Sequence, residues 1–215
     1  MADLLVPPRD VVPKTGDDDP LDFYYRPLTK ALYRGRLRMA IDLLGDTHFA
    51  SLLDVGYGSG IFLPELARHT DRLVGLEVHD EAPRVQEMLR RLDLRAELVQ
   101  GSLYQLPFAD GEFDALVCIS VLEHMTDLDG ALTELSRIVR PGGTVVLGFP
   151  VRNPITDSFF RLVGYDPREL HPSGHEDILA ATRRHPGLAV QRETRMPRFL
   201  PTSFAGYAGC RARAL

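Results

Sequence analysis

Tryptophan is absent from the 215 residues, and cysteine occurs only as Cys118 and Cys210. Two cysteines cannot build a disulfide framework, and Cys118 sits inside an apolar run. Both are expected as reduced thiols in a reducing compartment. Lysine is almost missing: Lys14 and Lys30 are the exceptions in a basic complement otherwise made of arginine. No apolar run approaches the roughly 20 residues needed to span a bilayer. The first residues, Met-Ala-Asp-Leu-Leu-Val-Pro-Pro, lack the basic region and long apolar stretch of a secretion signal. A positive excess is lacking too, since 25 basic against 30 acidic side chains leave a formal charge of −5. That balance gives no electrostatic reason for a nucleic-acid or anionic-membrane partner. What is present, 44% apolar and 26% charged residues, is the composition of a globular domain. A cytoplasmic chain with one sizeable core is the expectation.

Residues 1–22 are rich in Pro and Asp without apolar periodicity, and about the first fifteen are expected to form a loose arm. Leu37, Ala40, Ile41 and Leu44 then follow helical spacing, and Gly45 stops that helix. From residue 51 onward the period alternates. Short apolar strands are expected near 51–55, 73–78, 96–99, 113–120 and 144–149, with helices near 61–69, 81–92 and 128–139 between them. Strands alternating with amphipathic helices imply right-handed βαβ units and a parallel sheet covered on both faces. The last 65 residues are less regular, with a helix near 176–185 and strand-like stretches near 188–195 and 204–213. The reading is an α/β domain over residues 51–215, preceded by an N-terminal arm and helical cap or lid over 1–50.

The informative segment is LLDVGYGSGIF, with Gly56, Gly58 and Gly60 between the first strand and its helix. Glycines there let the backbone turn tightly and approach a ligand closely. In an open α/β sheet, ligands bind beyond the carboxyl ends of the strands, where this loop lies. Glu77 ends the second strand, about 20 residues after the first of these glycines, where a carboxylate can accept both hydroxyls of a ribose. The spacing is GxGxG rather than GxGxxG, and Asp54 stands at the loop entrance. An acid there would oppose a pyrophosphate but would suit a ligand carrying an ammonium group.

At this point the chain resembles the class I S-adenosylmethionine-dependent methyltransferases, closely over 51–150 and loosely at the flanks. The resemblance rests on LLDVGYGSG, the acidic end of strand two, GSLYQLPFADGEFDALVCISVLEHM and IVRPGGTVVLGFP. Within that family it is most similar to the small-molecule branch related to quinone-biosynthesis methyltransferases. The family implies a Rossmann-like, doubly wound sheet of seven strands whose last strand is antiparallel. It implies S-adenosylmethionine as cofactor and S-adenosylhomocysteine as product. Carried over by position, Asp54, Gly56, Tyr57, Gly58 and Gly60 meet the methionine end, Glu77 the ribose and Val78 the adenine. Gly101, Ser102 and Leu103 contact the adenine edge, and Ser120 lies near the reacting end. Ser102 stands where the family usually has Asp, so its hydrogen bond to the adenine amine lacks charge assistance. Tyr25 belongs to an aromatic cluster that, in the family, often closes over the cofactor.

The resemblance implies methyl transfer to an oxygen or carbon of a small molecule, by a monomer or homodimer with no nucleic acid and no membrane. Alternatives are a methyltransferase-like protein catalysing a non-methylating step such as cyclisation, a non-catalytic partner subunit, and a nicotinamide dehydrogenase. His124 follows strand four, while His171 and His175 share the HPSGH loop beyond strand five. Their position makes all three candidates for a general base. Pro172, Ser173 and Gly174 argue for a loop rather than a helix between the last two, so no metal site is expected. Arg195, Arg198, Arg211 and Arg213 are expected on a solvated face.

Overall fold

The computed structural model describes residues 4–16, 19–153, 172–199, 201 and 205–215. Its centre is a seven-stranded sheet: β1 (Phe49–Val55), β2 (Thr70–Glu77), β3 (Glu97–Gln100), β4 (Phe113–Ile119), β5 (Val139–Pro150), β6 (Leu188–Met196) and β7 (Tyr207–Ala214). The spatial order is β3-β2-β1-β4-β5-β7-β6. Strands β1 to β5 run parallel, and β7 is antiparallel to both β5 and β6. This is the doubly wound, Rossmann-like sheet expected from the sequence.

Alternation along the strands fills two cores, because successive side chains leave opposite faces. On one face Leu53, Val55, Leu116, Cys118, Leu147 and Phe149 pack with Leu132 and Leu135 of α4 (Leu128–Ile138) and Ile178 and Ala181 of α5 (His175–Arg184). On the other face Leu52, Ala115, Val117 and Val146 meet Leu37, Ala40 and Leu44 of α1 (Lys30–Leu44). Val85, Met88 and Leu89 of α3 (Ala82–Arg91) close the same core. The N-terminal helix is therefore built into the domain's second core. Gly45 ends α1 at φ +82°. Arg211 donates to the free carbonyls of Leu43 and Leu44, so it caps a helix rather than lying on a solvated face.

Three further expectations change. The arm does not lie loose over the described residues 4–16. Val12 is buried in the second core, against which Leu4, Val6 and Val11 also pack, and the Leu5 amide donates to the buried Glu65 carboxylate at 2.6 Å. The helix expected over 61–69 is one α-turn, α2 (Leu63–Leu66), followed by a 3-10 turn over Ala67–His69. The next strand begins at Thr70 and leaves no room for more. Strand β5 starts at Val139 rather than near 144, because Pro141-Gly142-Gly143 bulges out between the Phe113–Val139 and Ala115–Thr144 pairs.

Candidate active site

The carboxyl ends of β1, β2 and β4 and the residues that follow β3 open onto one cavity of about 410 Å3. The glycine loop forms its floor. Gly56 holds φ +81°, and an added Cβ would strike the Val121 side chain at 2.3 Å, so only glycine fits there. Gly58 holds φ +52° and faces open space, where a Cβ would meet nothing within 4 Å. The end of β2 and the residues just after it hold Gly58 from both sides. Glu77 Oε2 accepts from its amide at 2.9 Å, and His79 Nε2 lies 3.0 Å from its carbonyl oxygen. Since His79 Nδ1 accepts from the Glu81 amide at 3.2 Å, the proton sits on Nε2 and is donated to Gly58. Glu77 Oε1 accepts from Val78 N at 2.7 Å. Each carboxylate oxygen keeps a lone pair for a ligand.

Asp54 is buried at the end of β1, and burial, reinforced by the nearby Glu77 charge, pushes its carboxyl up to about 7. Tyr57 turns its ring edge-on to His79, and its buried hydroxyl has no hydrogen-bond partner among the described residues. Val78, Gly101, Ser102 and Leu103 line the same cavity. Ser102 Oγ already accepts from Tyr104 N at 3.3 Å.

The opposite wall was not legible in the sequence. Asp19, Pro20 and Tyr24 come from the 3-10 turn Pro20–Tyr24 and its cap, and Arg36 comes from α1. The Arg36 guanidinium lies over the rings of Tyr24, Tyr33 and Tyr207, at 5.0, 4.6 and 6.0 Å from their centroids. It donates to Tyr24 OH and, at 3.2 Å, to Ser120 Oγ. No carboxylate among the described residues lies within ion-pair distance of it.

The sequence candidates are distributed as follows. Asp54, Gly56, Tyr57, Gly58, Glu77, Val78, Gly101, Ser102, Leu103, Ser120 and His124 all line this cavity. Gly60 turns the loop at φ +74°, packed under Val85 and Met88. Tyr25 is a correction. Its hydroxyl donates to Pro7 O at 2.7 Å and its ring packs under Arg34, so its neighbour Tyr24 lines the cavity instead. His175 begins α5, buried and outside the cavity lining, with its imidazolium disfavoured by burial. His171 lies outside the described residues.

The donor set fits an amino acid joined to a nucleoside. A carboxyl at β1 and a guanidinium on α1 complement an ammonium and a carboxylate, and Glu77 offers acceptors to a diol. The turn α2 has only four residues, too short for the helix N-terminus that a pyrophosphate would use. Residues 53–147 match the family model described as a methyltransferase domain. Over this stretch the chain resembles the S-adenosylmethionine-dependent methyltransferases.

The chain is 30% identical over 145 residues to the ubiquinone biosynthesis O-methyltransferase of Alkalilimnicola ehrlichii, covering 66% of this chain and 58% of that one. It is 34% identical over 119 residues to the demethylmenaquinone methyltransferase of Roseiflexus castenholzii, covering 55% of this chain and 50% of that one. The chain thus spans little more than half the length of these curated relatives. Among solved structures, the N-methyltransferase NodS of Bradyrhizobium japonicum, in complex with S-adenosyl-L-homocysteine, superposes with a TM-score of 0.67. That match covers 94% of both chains at 21% identity, a likeness of fold.

Proposed function

We propose that this protein is a methyltransferase that binds S-adenosylmethionine in the cavity above β1, β2 and β4 and methylates an oxygen or carbon of a small-molecule acceptor. The observation that carries the reading is Glu77, which ties down the glycine loop while keeping acceptors free in a cavity that also holds Asp54 and Arg36. Asp54 takes the ammonium of the methionine end, Arg36 its carboxylate and Glu77 the ribose diol. Gly101, Ser102 and Leu103 line the adenine edge. When bound, the cofactor supplies an activated methyl group whose leaving group is a neutral thioether. The chain's own task is alignment and exclusion of water, which the apolar walls Leu37, Ile61, Phe62 and Ile119 serve. The relatives named for quinone biosynthesis support a small aromatic acceptor. The two buried thiols support a cytoplasmic location. Residues 1–50 act as a cap over the cofactor-binding remainder.

Calorimetric titration with S-adenosylmethionine and S-adenosylhomocysteine tests the reading directly. Binding of both is expected, and binding of neither would end it. Two smaller effects follow. Ser102→Asp places an ionised acceptor opposite the adenine amine and should tighten binding severalfold. Weaker binding by a folded variant would mean that the edge is held elsewhere. The segment Asp19–Tyr24, which roofs the cavity through Asp19, Pro20 and Tyr24, should gain protection from hydrogen exchange on ligand addition. Equal exchange with and without ligand would leave it as scaffold.

A further inference from the structure

Behind the cavity wall lies a carboxylate that cofactor binding leaves unused. Glu123 follows β4 in the 3-10 turn Leu122–His124, is 2% exposed, and has no hydrogen-bond partner for its buried Oε2 among the described residues. In front of it stands Ser120, which lines the cavity. Ser120 holds φ +59°, a left-handed conformation that costs a serine energy and concentrates at functional sites. Its amide donates to Gly148 O at 2.8 Å, which fixes the backbone. Its Oγ lies 2.7 Å from Tyr207 OH and accepts from Arg36 Nη1 at 3.2 Å. The Ser120 hydroxyl, three residues before Glu123, favours the ionised form of its carboxyl.

Arg36 only donates, and a hydroxyl has one proton and two lone pairs. Ser120 therefore accepts from Arg36 and has one proton to give, to Tyr207 or to the Glu123 carboxylate whose ionised form it favours. One of these lone pairs is occupied by the guanidinium that the proposed function assigns to the cofactor's carboxylate. Once Arg36 turns to that ligand, the lone pair faces the cavity.

We propose that Ser120 and Glu123 form a proton relay that deprotonates an acceptor bearing an acidic hydroxyl, an inference that rests on the methyltransferase reading above. The acceptor's O–H proton passes to Ser120 Oγ as the serine proton passes to Glu123. Serine stays neutral, Glu123 becomes a carboxylic acid, and the electron pair left on the acceptor forms the new bond to the methyl carbon. Glu123 loses the proton to solvent after product release. Tyr207 holds the serine hydroxyl in line. The relay gives the buried carboxylate a role that packing leaves unexplained, and it needs no histidine.

The surroundings of Glu123 favour such a poise. Burial pushes its carboxyl up to about 7, opposed by hydrogen bonding to its own backbone, by Arg36 and by Ser120. Arg36 on α1, Tyr207 on β7 and the Cys118 thiol on β4 are the charged or titratable groups that interact with it. From α5, which packs against the Leu122–His124 turn, the titratable groups near its start are His175, Glu176 and Asp177. The end of β5 beside this turn is the apolar Phe149-Pro150.

The test compares wild type with Glu123→Gln and Ser120→Gly. Glycine accepts φ +59° without strain, so Ser120→Gly removes the hydroxyl while the fold gains backbone comfort. Both variants should bind S-adenosylmethionine within about threefold of wild type. With catechol, 3,4-dihydroxybenzoate and 1,4-dihydroxynaphthalene as acceptors, single-turnover transfer at pH 7 should fall at least about tenfold in each variant. The deficit should close toward pH 9, where the acceptor ionises unaided. Infrared difference spectra of the protein alone should show a carboxylic acid titrating near neutrality that Glu123→Gln removes and Ser120→Gly shifts. A loss below tenfold, a loss equal at both pH values, or a wild type that binds cofactor but methylates none of the three would overturn the relay. A wild type that binds no S-adenosylmethionine would instead overturn the functional reading beneath it.

Discussion

Replacing Glu77 by alanine is expected to weaken S-adenosylmethionine binding about a hundredfold while the fold survives. The carboxylate already accepts from Gly58 N at 2.9 Å and Val78 N at 2.7 Å, one bond on each oxygen. One lone pair per oxygen is left for the two hydroxyls of a ribose. Charge-assisted bonds contribute about 1.5–3 kcal/mol each, so losing two costs at least about 3 kcal/mol. At about 1.4 kcal/mol per decade, that is two orders of magnitude in affinity. The variant also frees the Gly58 amide, which loosens the loop that must stay open beside the ligand. Stability should change little, because Glu77 is half-buried at a strand end and both freed amides can turn to water. Glu77→Gln separates the two parts. The amide oxygen can still hold Gly58, but its nitrogen cannot accept from a hydroxyl, so an intermediate loss is expected. Calorimetric titration of the three proteins, with thermal melts as the fold control, gives the answer. An unchanged affinity in Glu77→Ala would remove this residue from the site.

The half of the site built by β1, β2 and the residues after β3 was legible because its signals are local. Gly56, Gly58, Glu77 and Asp54 sit in two short stretches whose roles follow from strand ends and turn chemistry. The other half was not. Arg36 reads as a solvent-facing charge flanking an apolar helix stripe. Only the folded chain brings Tyr24, Tyr33 and Tyr207 around it. Tyr24 and Tyr25 are adjacent aromatics, and the phase of a five-residue 3-10 turn decides which one faces the cavity. Glu123 has the same difficulty. Its neighbours Leu122 and His124 do not reveal that its carboxyl is buried with one oxygen unpartnered among the described residues. The strands were easier, since continuous apolar runs such as Ala115–Ile119 mark a sheet buried on both faces. The helix expected at 61–69 failed because apolar spacing cannot register that the strand after His69 begins at once.

Affinity for S-adenosylmethionine should also collapse in acid, and Asp54 sets where. Burial, with Glu77 adding to it, raises the Asp54 carboxyl to about 7, so the empty protein holds this group largely protonated below neutrality. An ammonium placed against it favours the ionised form, so binding lowers the pKa and must release the proton first. The sign follows from that. Above the free-state value the carboxylate is ready, and affinity is insensitive to pH. Below it, each unit of acidification costs about tenfold in affinity until the lower pKa of the complex is reached. Between pH 7 and pH 5 the dissociation constant should therefore rise by up to about a hundredfold, with proton release detectable as a buffer-dependent binding enthalpy. Asp54→Asn provides the control. It keeps the shape of the neutral acid, which the protein already tolerates near pH 7, so it should fold normally. It should bind weakly at pH 7.5 and show little further loss at pH 5, because the titrating group is gone. Asp54→Asn keeping the full pH dependence would place the proton elsewhere, with Glu123 the next buried carboxyl to examine. A wild-type affinity that is flat between pH 5 and pH 7 would mean that the ammonium does not lie against Asp54, and the orientation of the methionine end in the cavity would have to be reversed.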